Sequence, residues 1–497
     1  MQTPSRNASQ PAGTTSVQPG PSRRQFLLAA GGSLGLSALG TPAIAAESKR
    51  PGAAEVVIPQ RRVPVLAEAD VVVCGGGTAG IAAACCAARH GAKVVLLERW
   101  PSLGGMATNA LVNIWHTSDR TKQVIYGLVQ EVIERAGTDM QRFANYPSRP
   151  ETHEFEPCAM RIVFHKLLAD AGVRTICHIA AMESIVENGR IKGVLVDTKT
   201  GRKAVLGKIF IDASGDGDIA ANAGVPFEYG RKSDGRVQGM TMMFRVCSLN
   251  PEKVLANPKE ADRVFALMKD LRAAGKFPPF LDLGADSYLH GPRPHTVSYN
   301  MCPVAGNPLD EEELTRLSAQ ARRQAQQYVE LWRKEMPGFE NAEVEQMGFW
   351  LGIRESRCIC GLKTLDAQMV VKAVKQPDAI GHGFWLVDIH DPKGSGYTTW
   401  CDQKTESMPP VGESYHIPLG MCLNAKIANL GVAGRCASST HEGLASVRIQ
   451  THCMVMGQGL GTAAALALAG NMDMVNVDLK KLQSTLKADG VYLEELK

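Results

Sequence analysis

Apolar positions along the chain change their rhythm several times, and each rhythm predicts an element. Residues 71–73 are an unbroken valine run, residues 81–90 are alanine-rich up to a glycine at 91, and residues 94–97 are wholly apolar again. A short all-apolar run reads as a strand covered on both faces, so this stretch predicts one strand–helix–strand unit with Gly91 ending the helix. Residues 161–172, "RIVFHKLLADAG", have the spacing of an amphipathic helix. From Ser184 onward apolar and polar residues alternate, with turns at Asn188-Gly189 and at Lys199 to Gly201. This predicts a three-stranded meander whose last strand runs into the buried "KIFIDA". Residues 250–345 carry few strand signals and long helices. The clearest helix is expected to start with Asn307 as N-cap, Pro308 at the first helical position and acidic residues 310–313 in the first turn. Its core face is Leu314, Leu317, Ala321, Ala325, Tyr328, Trp332 and Met336, and Pro337 ends it. Residues 415–470 return to short apolar strands and a Gly/Ala-rich helix.

The N-terminus follows none of these patterns. Residues 1–21 are polar, then "SRRQFLLAAGGSLGLSALGTPAIAA" sets Arg23 and Arg24 before a short, glycine-rich apolar run ending in the small-x-small triplet 43–45. This resembles a twin-arginine export signal. The run is too short and glycine-rich to span a hydrocarbon core of about 30 Å. The expectation is therefore export to the periplasm or beyond by the twin-arginine translocation machinery, with no stable membrane span in the mature chain.

Composition narrows the field. The chain has 497 residues, 44% hydrophobic and 21% charged, with a formal net charge of +4. Three arginines lie in the leader, so the mature chain is near neutral and offers no electrostatic case for nucleic acid or an anionic membrane surface. The 13 cysteines are scattered through apolar elements and read as small core residues, and no His/Cys/Asp/Glu group has metal-ligand spacing.

The motif with chemical content is Gly75-x-Gly77-x-x-Gly80 between the first strand and its helix. Such glycines allow a tight turn, a close approach of a pyrophosphate to the backbone, and tight helix–strand packing. The helix N-terminus supplies N–H donors to the phosphates. Glu98 ends the second strand, placed to accept ribose hydroxyls. Two later segments add to it. "FIDASGDGDIAANAG" (210–224) holds Gly215, Gly217 and Asp216, with Asp216 or Asp218 expected to cap a helix. "LGVAGRCASSTHEGLASVRIQTHCMVMGQGLGTAAALALAG" (430–470) reads as strand, loop and a helix from about Ser446.

The three segments in this order, with Gly104-Gly105 following Glu98, resemble the FAD-dependent oxidoreductase family related to the fumarate reductase and succinate dehydrogenase flavoproteins. The resemblance covers about residues 68–470 and takes in "GFWLGIRESRCICG" (348–361) and "DIHDP" (388–392). It implies an α/β fold: a Rossmann-like FAD-binding domain of the two-domain flavoprotein type, with the β-meander and an inserted α+β cap domain. The implied plan is a signal at 1–45, a linker at 46–67, FAD-binding parts at 68–245 and 416–497, and a cap at 246–415. FAD would be bound non-covalently by Gly75, Gly77, Thr78, Ala79, Gly80, Glu98, Arg99, Gly104, Gly105, Met106, Gly215, Asp216, Gly434 and Ser446. His116 is a further candidate, as a covalent attachment point. At Cys358 the family usually carries arginine, so no substrate charge preference carries over.

The implied activity is hydride transfer between a small organic substrate and flavin N5, with an unidentified electron acceptor. His441 leads as acid/base beside the flavin, and Arg448 would bind a substrate anion or the reduced ring. Arg354 and Arg357, flanking Glu355, would point in from the cap, and His390 is a weaker acid/base candidate. Packing or ion-pairing roles remain open for each. The rival activities are an isomerase or lyase without net redox turnover and a non-catalytic flavin-binding electron-transfer subunit.

Overall fold

The computed structural model describes residues 56, 58–137, 140–142, 152–281, 295–394 and 407–494. The expected export signal and half of the expected linker, residues 46–55 and 57, lie outside the described residues.

Strand β1 (Val65–Cys74) begins inside the stretch expected as linker and forms the centre of a seven-stranded sheet. Helix α1 (Thr78–Arg89) follows, then β2 (Val94–Leu97). Strand β3 (Arg174–Ile176) extends that edge, and β4 (Ala180–Glu187), β5 (Arg190–Thr198) and β6 (Gly201–Asp212) form the meander. The sheet order is β3-β2-β1-β6-β5-β4. Strand β6 is shared: its first half pairs antiparallel with β5, while Phe210 to Asp212 pair parallel with β7 (Leu430–Val432). Valines 71 to 73 are all fully buried because both faces of β1 are covered. Val71 and Val73 join a core with α1 and the long helix α4 (Gln450–Ala469), whereas Val72 packs with the meander on the other side. Each fully buried valine of this kind contributes about 1.5–3 kcal/mol.

The registers put four strand ends level. Cys74 lies opposite Leu97 in β2 and Asp212 in β6, and Asp212 lies opposite Val432 in β7. The loops leaving these ends, at residues 75–77, 98–99, 213–217 and 433–435, therefore emerge at one edge of the sheet. In open α/β sheets that edge, at the carboxyl ends of parallel strands, is where ligands sit.

A second hydrophobic core is built from residues between Met240 and Leu351. Its sheet has strand Met240–Cys247 between Val297–Val304 and Glu343–Met347, covered by helix α2 (Glu311–Glu335). The expected cap boundaries were 246 and 415. The second core begins earlier, and residues 365–423 contribute instead to the main core through Leu365, Ile380, Ile417 and Leu423. The strand 297–304 was not expected, although Val297 to Met301 alternate apolar and polar residues and the structure buries Val297, Tyr299 and Met301 on one face.

Helix α2 buries the expected face, but Asp310 caps it rather than Asn307. Asp310 accepts the Glu313 N–H at 2.8 Å, while Asn307 accepts the Leu309 N–H in a preceding turn. Glu313 reaches back to the Asn307 N–H at 2.9 Å, so the chain needs the whole turn 307–310 before helix can start. Helix α4 has the length and mean hydropathy (1.2) of a membrane span, but 83% of that window is buried inside the fold. It lies against α1 so closely that a Cβ on Gly457 would sit 2.1 Å from the Ala79 carbonyl oxygen. Every described cysteine is free, and most are buried.

Candidate functional site

Above the common strand edge lies a cavity of about 1470 Å³, reached by residues of both cores. Such a volume exceeds an ordinary small-molecule pocket of roughly 300–1000 Å³ and accommodates a dinucleotide beside a second ligand.

One end of the cavity is made by the fingerprint. Gly75 (φ +110°) turns the chain where a side chain would lie 2.2 Å from the Ala213 carbonyl oxygen. A Cβ on Gly77 would meet nothing within 4 Å. Gly77 is the N-cap of α1, no side chain caps that end, and Gly77, Thr78 and Ala79 line the cavity. The free N–H groups of the first turn thus face open volume, which fits a pyrophosphate. Glu98 also lines the cavity. Its Oε2 accepts the Gly76 N–H at 2.6 Å and its Oε1 the Trp100 N–H at 2.9 Å. Burial raises its pKa against these hydrogen bonds, and each oxygen keeps a lone pair for a ribose hydroxyl. Gly105, Met106, Gly215, Asp216 and Gly434 line the same end.

Arginines hold this end together. Arg99 bonds Asp218 at 2.7 Å, and Arg357 reaches the same carboxylate at 3.1 Å. Arg435, not singled out from the sequence, lines the cavity and bonds Asp216 and the Ser356 hydroxyl, both at 2.7 Å. Neither Asp216 nor Asp218 caps the helix Asp218–Asn222. The Ser214 hydroxyl accepts the Asp218 N–H and the Asp212 carboxylate the Ala220 N–H, which leaves the two expected caps for ion pairs.

The other end is made by side chains from seven segments. Strands Ile114–His116 and Thr152–Phe155 pair with Ile114 opposite Glu154 and His116 opposite Thr152. These four line the cavity, while the intervening Trp115 and His153 are buried and line no part of it. Glu154 is buried, accepts from Asn113 Nδ2 at 3.1 Å, and has its pKa pushed up to about 8, chiefly by burial. His116 stacks on Trp385 with ring centroids 4.1 Å apart. Thr241, Met243, Ser298 and Asn300 face in from the second sheet.

Arg354 also lines the cavity and donates to the Gly239 carbonyl (2.9 Å) and Thr241 Oγ1 (2.6 Å). Asp388 accepts from His390 Nε2 at 3.2 Å and Arg448 at 3.4 Å. Burial works to raise the Asp388 pKa, but His390, Arg448 and Arg354 together hold it well below the usual carboxylate range. Burial, aided by Arg354, takes the His390 pKa down to about 4 against the pull of Asp388.

Arg448, Arg354 and His390 therefore meet at one wall, but His441 does not reach it. Thr440 caps α3 (His441–Val447), its hydroxyl accepting the Gly443 N–H, so the helix starts five residues before the expected Ser446. His441 is turned into the protein, where its Nδ1 lies 2.8 Å from Glu355. Glu355 also accepts the Gln238 N–H at 2.7 Å. Ser446 is fully buried behind the cavity, bonded to the Trp385 carbonyl and the Tyr415 hydroxyl. The helix start that lines the cavity is that of α4, at Ile449 and Gln450. Gly80 and Gly104 act behind the lining: a Cβ on Gly80 would strike the Gly75 carbonyl, and the Gly104 N–H bonds the Gly76 carbonyl. Cys358 is buried beside Ser439, its thiol pushed up to about 12 by burial.

Glu154 and Arg435 were missed by the sequence reading. The polar run Thr152-His153-Glu154 shows no alternation that would mark Glu154. Arg435 had only its place after Gly434.

Comparison with known proteins gives the following. The profile of the family described as FAD dependent oxidoreductase matches residues 70–486. Over 172 residues the chain is 30% identical to digeranylgeranylglycerophospholipid reductase 1 of Methanopyrus kandleri, covering 32% of this chain and 43% of that one. Over 141 residues it is 26% identical to thiamine thiazole synthase of Methanococcus vannielii, covering 28% and 51%. The chain thus spans about half the length of the curated relatives it matches. Among solved structures, a geranylgeranyl bacteriochlorophyll reductase-like protein from Thermoplasma acidophilum aligns over 85% of this chain and 84% of that one, with 14% identity and a TM-score of 0.42.

Proposed function

The chain belongs to the FAD-dependent oxidoreductase family, and from that premise we propose that it transfers a hydride between a small organic substrate and bound FAD in this cavity. The observation that carries the reading is that one cavity joins a dinucleotide cradle (Gly75 to Ala79, Glu98) to a buried ionisable cluster (Glu154, Arg354, His390, Arg448). FAD, when bound, supplies the redox chemistry by exchanging two electrons and a proton's equivalent as hydride.

The residues supply the rest. Arg354 and Arg448 attract and orient an anionic or carbonyl oxygen on the substrate, and their existing bonds to Thr241 and Asp388 keep their side chains in place. Glu154, with its pKa near 8, holds a proton at neutral pH and delivers it to the substrate, or takes one in the reverse direction. The second sheet excludes water as a cap over the reacting face.

The narrower kinship with fumarate reductase flavoproteins belongs to this proposal, supported by the order of the three segments. So does export: Arg23 and Arg24 with the run after them support a periplasmic enzyme. Changing both arginines to lysine is expected to leave flavin-loaded precursor in the cytoplasm, and unchanged export would end that part of the reading.

The test of the reaction is anaerobic. Purified protein is mixed with a panel of organic acids, sugars, amines and unsaturated compounds, and flavin absorbance is followed. A compound that bleaches the flavin, slowly in Glu154→Gln, supports the proposal. Turnover without bleaching would identify a non-redox use of FAD, and no turnover with any compound or artificial acceptor would favour a non-catalytic role.

A further inference from the structure

Away from the cavity, two histidines and a carboxylate converge in a way the oxidoreductase reading does not use. Strand Ala379–Gly383 pairs antiparallel with Tyr415–Pro418, and the register sets His382 directly opposite His416. Directly opposed residues share one face of a sheet, with their Cβ atoms about 4.5–5.5 Å apart. The two rings lie edge to face with centroids 4.7 Å apart. Glu494, from the C-terminal tail, reaches the same point, and one ligand atom from each of the three lies within 4.8 Å of the others.

Two features distinguish this group from a chance cluster. Both histidines are almost wholly buried, at 1% and 2% exposed, yet neither Nε2 has a hydrogen-bond partner. Buried polar atoms are rarely left so. Each ring is also fixed through its other nitrogen: His382 Nδ1 bonds the Ser414 hydroxyl at 2.8 Å, and His416 Nδ1 accepts the Gln376 N–H at 3.0 Å with the Gln376 C=O 3.2 Å away. A metal-binding histidine has its second nitrogen donating to an outer oxygen while the first meets the ion; the Ser414 hydroxyl stands in that place for His382, and for His416 the Gln376 carbonyl takes it when the ring proton moves from Nε2 to Nδ1 on metal binding.

We propose that His382, His416 and Glu494 form a binding site for a divalent transition-metal ion of the zinc class, with water as fourth ligand. His416 Nε2 lies 3.6 Å from Glu494 Oε1, close to the ~3.3–3.5 Å edge of a tetrahedron with bonds of about 2.0–2.1 Å. Two imidazoles and one carboxylate suit zinc, cobalt or nickel rather than calcium or magnesium. One cation competes with the metal. Lys375 Nζ lies 2.6 Å from Glu494 Oε1 and donates to the Ser414 carbonyl. The site is thus weaker than its ligands alone would make it. The ion would clamp the C-terminal tail onto the strand that continues into Phe384 and Trp385 of the cavity wall.

The experiment uses the flavin-loaded mature chain, stripped with chelator and titrated with Zn²⁺ against a chromogenic competitor, and separately with Co²⁺. One Zn²⁺ per chain is expected, a Co²⁺ spectrum without a thiolate charge-transfer band, and a higher Tm with metal. His382→Gln and His416→Gln are each expected to weaken binding at least 100-fold with unchanged FAD content. Lys375→Met is expected to tighten it about tenfold. Should either histidine variant lose FAD, Glu494→Gln on the tail decides, with weakening of at least tenfold expected. Absence of stoichiometric binding to the wild type, a thiolate band with Co²⁺, or variants that bind as the wild type does would overturn the proposal.

Discussion

At the fingerprint end the cavity is lined by backbone. Gly75, Gly77, Gly215 and Gly434 all face it, and the donors are main-chain N–H groups at the start of α1. At the opposite end it is lined by side chains: His116 and Glu154 from a small sheet, Thr241 and Asn300 from the second core, Arg354, His390 and Arg448 from loops. The first end depends on a few consecutive residues and on the register that levels four strand ends. The second depends on contacts between segments more than three hundred residues apart, such as the bonds of Gln450 to Trp115 and Val112. A side chain added to the backbone cradle either strikes the main chain, as at Gly75, or fills the ligand's space, as at Gly77, whereas a side-chain cluster tolerates substitution at the cost of its charge pattern. The two ends should therefore fail differently when altered.

The largest effect is expected from Gly77→Val. The new side chain enters open volume, so no neighbour is struck and the fold should survive, but the space for the pyrophosphate is filled. Purified variant should show native circular dichroism and no flavin absorbance. Normal FAD content in this variant would mean that the cradle does not hold the pyrophosphate.

Next comes Glu154→Gln, at the other end. FAD should remain bound, and the rate of flavin reduction by a substrate should fall about 10²–10⁴-fold, the usual contribution of a positioned acid or base. The pH dependence follows from the sign of the shift. Glu154 has its pKa raised from 4.5 to about 8, so its contribution to stability is full below about 4.5 and is lost as pH rises through about 8. Proton donation should fade over the same upper limb. Melting temperature and reduction rate measured between about pH 6 and pH 9 should both fall in the wild type, and the glutamine variant should lack both limbs.

The contrast also explains what could be read in advance. The fingerprint, its flanking strands, Glu98 and the β-meander were legible because each is encoded by neighbours in sequence: a valine run, glycine spacing, alternating polarity with Asn-Gly turns. Helix α2 showed its buried face but not its cap, because Asn307 and Asp310 are both good caps and only the turn geometry selects the second. The side-chain end was half legible. Arg354, His390 and Arg448 were picked by type and do meet at the cavity. Glu154 was not, because nothing near it in sequence says that its strand faces Ile114. His441 was picked for its neighbours, but Thr440 starts the helix early and turns the imidazole toward Glu355.

That orientation gives a third, smaller effect. In His441→Ala the flavin should stay bound and its reduction rate should be nearly unchanged, because the imidazole does not line the cavity. Stability should drop by about 3 kcal/mol, since the buried Glu355 carboxylate loses one partner and keeps the Gln238 N–H. Denaturant unfolding beside stopped-flow reduction separates the two effects. A large loss of rate at full stability would bring His441 back as a catalytic group and shift the comparison toward the C-terminal segment.

The smallest effect is expected from Ser446→Ala. Ser446 was expected beside the cofactor as the start of a helix, yet its hydroxyl lies behind the cavity, donating to the Trp385 carbonyl at 2.8 Å and facing the Tyr415 hydroxyl at 2.9 Å. Removing it leaves the Tyr415 hydroxyl a second partner, His452 Nδ1 at 3.3 Å, so the loss should stay near 1 kcal/mol, the net worth of one ordinary hydrogen bond. Trp385 stacks on His116 in the cavity wall, so a modest change in substrate affinity can accompany the loss. The bound flavin should keep its absorbance spectrum, its stoichiometry and its reduction potential, because the helix start lining the cavity is that of α4 at Ile449 and Gln450. A shifted potential in Ser446→Ala would mean that α3, and not α4, supports the ring, and the backbone end of the cavity would then extend further along the C-terminal segment than its lining indicates.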